Sequence, residues 1–166
     1  RLVINNSWGL PQWGTPDGSA LSNQFIDSMS GEGVVFVSSN GNNGDVDFHI
    51  DHTFEEPGDT IRSRVKFYPL NANPNTWGQN LTLWGEVGES FEMGFQLIAG
   101  VSTVVGESPM YNTSDGPLIL DAIEVVNNDT IIYDVVMEQS HPVNGRPFIQ
   151  MRIHKGDAYL AVVMQV

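Results

Sequence analysis

Cysteine is absent from this chain of 166 residues, which excludes disulfides, thiolate metal ligands and a cysteine nucleophile. Basic residues are scarce as well: seven Lys and Arg stand against 20 Asp and Glu, for a formal net charge of −13. Nucleic acids and anionic membranes attract clusters of Lys and Arg, so this charge balance argues against both as partners. No apolar run approaches the roughly 20 residues of a membrane span, and no signal peptide is visible.

Hydrophobic residues make up 40% of the chain and aromatic residues 10%, which is enough for a packed core. The length fits one domain, or one domain with a fragment of another. The sequence opens on "RLVINNSWG", an apolar strand pattern with no preceding cap or tail. Domains rarely begin inside a strand, so we expect a piece of a longer protein.

Residues 1–48 have the pattern of a strand, a helix and a second strand. Leu2-Val3-Ile4 predicts the first strand, and Leu21, Phe25 and Met29 recur at the four-residue spacing of one helix face. The run "VVFVS" at 34–38 predicts a second strand, covered on both faces. A strand, helix and strand of this length form a parallel crossover unit.

Residues 49–166 change to a period of two. Phe91, Met93, Phe95 and Leu97 share one face of a predicted strand in "SFEMGFQLI". Further strands are predicted in "TIIYDVVM", "FIQMRI" and "AYLAVVMQV", separated by turn signals such as Asn144-Gly145. Short strands without intervening helices predict an antiparallel β-sandwich of the jelly-roll type, so the expected fold class is mainly β, preceded by the strand–helix–strand fragment.

The loop after the second strand, "NGNNGD", admits two interpretations. Asn-Gly is a common turn dipeptide, so the segment could be a tight turn. Ligands of open α/β sheets bind outside the carboxyl ends of strands, however, and glycine allows a close approach to the backbone. The loop could therefore hold a site.

The first 48 residues resemble the subtilisin-like serine peptidases (subtilases). In that family a strand ends in a Ser-x-Gly segment before a helix, and the next strand ends in a Gly-Asn-x-Gly loop. Ser7-Trp8-Gly9 and Gly41-Asn42-Asn43-Gly44 match these two segments. The stretch "PDGSALSNQFIDSMSGEG" resembles the Csp-type (clostridial germination protease-like) branch, in which a jelly-roll domain is inserted after the Asn loop.

The resemblance implies that Asn42 donates its side-chain amide to the oxyanion formed during peptide hydrolysis. It also implies that Ser7, Trp8, Gly9 and Gly41 line an extended peptide or protein substrate. The family's Asp-x-Gly, His-Gly-Thr-His and Gly-Thr-Ser-x-Ala-x-Pro motifs are missing. The chain is therefore expected to be inactive alone and to need the rest of a catalytic domain.

The same resemblance implies no cofactor for this chain. Calcium binding by the parent protein is an open alternative. We expect the parent to be bacterial, and either secreted or held at the cell envelope. A parent that has lost a triad residue, and so is a pseudopeptidase, is a further alternative.

Two other features have competing interpretations. "DVDFHIDH" at 45–52 is either an acidic connector between domains or a carboxylate–imidazole metal site. Tryptophans offer stacking surfaces for sugars, so a carbohydrate- or cell-surface-binding β-sandwich is the alternative function. Trp77 is the better candidate for exposure, whereas Trp84 lies in a predicted strand and is interpreted as a packing residue.

Overall fold

A computed structural model describes residues 1–7, 14, 15, 17–39, 41, 44, 50–66, 79–126, 129–154 and 161–165. These form two compact units. The first comprises Arg1–His52 with Pro142–Asn144, and the second comprises Thr53–His141 with Gly145–Val166.

The first unit contains two strands and one helix. β1 (Leu2–Asn6) and β2 (Val34–Ser38) pair in parallel, with Leu2 opposite Val34 and Asn6 opposite Ser38. The helix α1 (Leu21–Met29) lies between them in sequence. It ends where the Ser30 N–H and hydroxyl both bond to the carbonyl of Ile26, at 2.9 and 2.8 Å.

Burial in this unit differs from the sequence prediction. We expected β2 to be covered on both faces, yet no residue of β1, β2 or α1 is buried. Val3, Val35 and Val37 are 70%, 53% and 49% exposed. The physical reason is that two strands and one short helix supply too few layers to cover both faces of a sheet.

The second unit is built from antiparallel strands, as its period of two predicted. The strands are β3 (Arg62–Lys66), β4 (Gln79–Trp84), β5 (Glu92–Ala99), β6 (Thr103–Glu107), β7 (Tyr111–Asn112), β8 (Leu118–Val126), β9 (Asp129–Glu138), β10 (Phe148–His154) and β11 (Ala161–Gln165). One sheet has the order β4-β10-β9-β8. The other has the order β3-β11-β5-β6, with β7 added to β5.

The core of this unit lies between the two sheets. β5 contributes Met93, Phe95 and Leu97, which are at most 1% exposed, as the alternation in the sequence predicted. The opposite sheet contributes buried side chains from three strands, namely Leu81, Ile131, Tyr133, Val135, Met137, Ile149, Met151 and Ile153. Side chains from two sheet faces that pack in this way define a β-sandwich.

The outer face of β5 is crossed closely by the segment after β6. A Cβ on Gly94 would lie 2.8 Å from Met110 Sδ and 3.0 Å from the carbonyl oxygen of Pro109. The Ser108 hydroxyl accepts the N–H of Phe95 at 2.9 Å and donates to the carbonyl of Pro109 at 2.9 Å. Glycine at position 94 therefore allows a close approach that any side chain would block.

Within the described part of the chain, no helix has the length and apolar character that crossing a membrane requires.

Candidate functional site

The carboxyl ends of β1 and β2 lie side by side. Asn6 is the register partner of Ser38, and the N–H of Ser39 donates to the carbonyl of Asn6 at 3.1 Å. The chain therefore leaves both strands at the same edge of the sheet, at residue 7 and at residue 39. This edge is where open parallel sheets hold their ligands.

Two of the five predicted site residues are described at this edge. Ser7 is exposed, and its hydroxyl accepts a hydrogen bond from Asn5 Nδ2 at 3.3 Å. Gly41 is exposed and has φ +81°, a left-handed conformation that favours glycine. Trp8, Gly9 and Asn42 lie outside the described residues. The contact of Asn42 with a substrate therefore stays a prediction.

An open cavity of about 350 Å³ lies beside the same strand end. The cavity lies between one face of α1 and the face of the sheet that carries Ile4 and Phe36. Its lining consists of Ile4, Asn5, Asn6, Ser22, Phe25, Ile26, Met29 and Phe36. No lining side chain is charged, and Asn6 and Ser22 bring polar groups to a lining that is otherwise mostly apolar.

The sequence prediction missed this cavity and the position of Asn6 beside it. A signal was present, because two amides follow directly after the apolar run Leu2-Val3-Ile4. The prediction considered only residues after the strand end. Asn5 and Asn6 are the last residues of β1, and alternation places the side chain of Asn6 on the same face as Ile4, beside the cavity.

The metal hypothesis concerned residues 45–52. Asp45, Asp47 and His49 lie outside the described residues, whereas Asp51 and His52 are exposed. Among the residues that the structure describes, no three His, Asp or Glu side chains are grouped to hold a metal ion.

The tryptophan hypothesis concerned four residues, of which Trp8, Trp13 and Trp77 lie outside the described residues. Trp84 packs against the rings of Phe148 and His141, with centroid distances of 4.4 and 5.0 Å. Its Nε1 is buried and has no hydrogen-bond partner among the described residues. Trp84 is therefore a packing residue, as the sequence predicted.

Comparisons with protein-family models, with curated proteins and with solved structures each found no match to this chain.

Proposed function

We propose that this chain is part of a subtilisin-like serine endopeptidase and carries its oxyanion donor and part of its substrate cleft. The observation that supports this most directly is the hydrogen bond from the N–H of Ser39 to the carbonyl of Asn6, at 3.1 Å. It holds together the starts of the two segments that match the family. One continues through Ser7, Trp8 and Gly9, and the other continues to Gly41 and Asn42.

The chemistry of these segments follows from their backbone and amide groups. An extended substrate would pair with the backbone of residues 7–9 as an added strand. The amide of Asn42 would donate to the carbonyl oxygen as it becomes negatively charged. A donor fixed before the reaction stabilises that charge without reorganisation. The serine, the histidine and the aspartate of the triad would come from other segments of the parent.

Exposed apolar side chains of the first unit support the proposal that the rest of a catalytic domain packs against it. Val3, Val35 and Val37 share the sheet face that α1 leaves uncovered, and each is about half exposed or more. Phe25 and Leu21 of the helix are 59% and 65% exposed. In an α/β domain these side chains would be covered by further strands and helices.

The strand order of the second unit supports an inserted domain of the jelly-roll type. β3 pairs with β11, and β4 pairs with β10, so the first strands of the unit pair with its last. This nested pairing is a property of Greek-key sandwiches and jelly rolls, and it brings the two ends of the unit together. In the parent, the insert would stabilise the catalytic core or shape access to its cleft.

The test begins with the parent reading frame on both sides of this segment. Asp-x-Gly and His-Gly-Thr-His before it, with Gly-Thr-Ser-x-Ala after it, are the expected result. Substitutions at those positions would make the parent a pseudopeptidase. Absence of all three motifs would overturn the proposal.

The parent enzyme then allows a matched pair of variants. Asn42→Ala should lower kcat by about 10²–10³ with little change in KM, a magnitude taken from the same donor in subtilisin. Asn43→Ala removes the neighbouring amide and should retain most activity. Equal effects of the two substitutions on kcat would contradict the role of Asn42.

A further inference from the structure

β8 is the last strand of its sheet. Seven of its nine residues (Leu118–Val126) have register partners on β9, and no other described strand forms a ladder with it. The opposite edge of β8 therefore has backbone N–H and C=O groups without a described strand partner, although β6 of the other sheet lies close to β8 without forming a ladder with it. An extended segment can pair with such groups.

A β-bulge sets which side chains of this edge strand face outward. Ile119 lies opposite Val135 and Ala122 lies opposite Tyr133, so Leu120 and Asp121 together face the single residue Asp134. Asp121 has φ +52°, and its N–H donates to Asp134 Oδ1 at 3.1 Å. A bulge of this kind shifts the alternation by one residue.

The consequence is an apolar row on the outer face of the sheet. Ile119 and Ala122 pack against the core, whereas Leu118, Leu120 and Ile123 are 50%, 56% and 60% exposed. Strict alternation from Ile119 would have turned Ile123 inward and placed Asp121 in the core. Ile132 of β9 lies opposite Ile123 and extends the row with an exposure of 38%.

All charged residues of β8 and β9 are acidic. β8 and β9 contain no Lys, Arg or His, and their carboxylates are Asp121, Glu124, Asp129, Asp134 and Glu138. Exposed edges are commonly protected by lysine, and this one is not. A second copy of the chain would bring carboxylates against carboxylates. A segment with Lys or Arg between apolar residues would complement both the row and the charge.

We propose that the free edge of β8, together with Leu118, Leu120, Ile123 and Ile132, binds an extended cationic segment of a partner protein by strand addition. Alternate apolar side chains of the partner cover the row. Its Lys or Arg side chains face the carboxylate of Asp121, which is exposed, and that of Glu138, whereas the carboxylate of Asp134 is already paired with Arg152. The proposal is independent of Asn42 and of peptide hydrolysis.

The first test uses the full 166-residue chain and a capped peptide, Lys-Val-Lys-Val-Thr-Val-Lys-Val-Lys, at physiological ionic strength. Two controls keep the same charge: one replaces every valine with serine, and the other carries N-methyl groups on alternate amides. Shifts of the β8 amide resonances with the first peptide, and binding at least tenfold weaker for both controls, are expected. Equal binding of the serine peptide would show attraction by net charge alone and would overturn the proposal.

The second test changes the chain without changing its charge. Leu120→Ser with Ile123→Ser should weaken peptide binding at least tenfold. Val87→Ser, at an apolar site that is 63% exposed and lies in the segment between β4 and β5, is the matched control and should leave binding unchanged. Undiminished binding by the double variant would overturn the proposal. So would a dimer, detected by sedimentation equilibrium, that the same double variant dissociates. If the double variant fails to fold, the amide shifts and the N-methylated peptide decide the question.

Discussion

The hydroxyl oxygens of Tyr111 and Tyr133 lie 2.9 Å apart inside the β-sandwich. Tyr111 is 7% exposed and Tyr133 is 2% exposed, so the two hydroxyls satisfy each other away from water. They join β7, which pairs with β5 of one sheet, to β9 in the other. The bond therefore links the two layers of the sandwich as well as two side chains.

A double-mutant cycle measures this link. Tyr133→Phe leaves the Tyr111 hydroxyl buried without its partner and should lower the free energy of unfolding by about 1–3 kcal/mol. Tyr111→Phe should have a similar effect. The double variant leaves no unpaired hydroxyl and should lose less than the sum of the two single losses. Urea unfolding measures all four free energies. Strict additivity would show that the hydroxyls do not interact.

The same pair predicts sensitivity to alkaline pH. Burial, and then the hydrogen bond with Tyr111, raise the pKa of Tyr133 above its ordinary value of about 10. Below pH 10 the tyrosine is protonated in both the folded and the unfolded chain, so this stabilising contribution is fully present. Above pH 10 the unfolded chain releases the proton and the folded chain keeps it. Stability is then lost by up to about 1.4 kcal/mol per pH unit.

Tyr133→Phe provides the control for this prediction. The variant is less stable at neutral pH but lacks the titrating group, so its free energy of unfolding should fall less steeply above pH 10. Urea midpoints measured from about pH 8 to about pH 11 compare the two slopes. Parallel slopes would mean that Tyr133 ionises in the folded chain as readily as in the unfolded one.

Asp134 is a second buried polar residue. Replacing it and replacing its partner Arg152 should lower the free energy of unfolding by different amounts. The Asp134 carboxylate is 8% exposed; it accepts the N–H of Asp121 and pairs with Arg152 at 3.1 Å. Asp134→Ala leaves the N–H of the bulge without an acceptor and should cost about 2–3 kcal/mol. Arg152→Ala should cost less than about 1 kcal/mol, because that side chain is 45% exposed.

A surface pair serves as the control for Asp134. Glu86 bonds to Arg146 at 3.0 Å, but its side chain is 79% exposed. Glu86→Ala should therefore change stability very little. If Asp134→Ala is as mild as Glu86→Ala in thermal unfolding, the carboxylate does not hold the bulge.

The sequence predicted those strands whose side chains alternate without interruption. β5 is the clearest case, since one face is apolar from Phe91 to Leu97 and these residues enter the core. β8 was missed because its bulge breaks the alternation: Leu118, Ile119 and Leu120 are consecutive apolar residues, and Asp121 follows. A pattern of period two cannot reveal a strand whose register shifts in its middle.

The start of the helix shows a different limit. Asp17 and Ser19 are residues of the type that cap helices, yet α1 follows Ala20 with no side-chain cap. Asp17 Oδ1 instead accepts the N–H of Ser19 at 2.9 Å and the hydroxyl of Thr15. A local turn can compete with the cap for the same carboxylate, and sequence spacing does not decide between them.

Pairing between distant strands was also beyond the sequence. β3 and β11 are neighbours although about 100 residues separate them, and such a choice depends on which faces pack in three dimensions. The candidate site was likewise predicted only in part. The strand ends that place Ser7 and Gly41 were predicted, whereas the cavity beside Asn6 depends on where α1 packs.

Thr113 carries the last prediction. It is 2% exposed, and its Oγ1 has no hydrogen-bond partner among the described residues, although its N–H donates to the carbonyl of Phe91 at 3.1 Å. Thr113→Val keeps the shape and the backbone bond and removes a buried hydroxyl that the fold leaves unsatisfied. Stability should rise by about 1 kcal/mol. Thr82→Val is the control, since the Thr82 hydroxyl accepts from Gln150 Nε2 at 3.4 Å and its loss should destabilise the chain. A loss of stability in Thr113→Val, measured by urea unfolding, would mean that the hydroxyl has a partner and belongs to a polar contact of the sandwich.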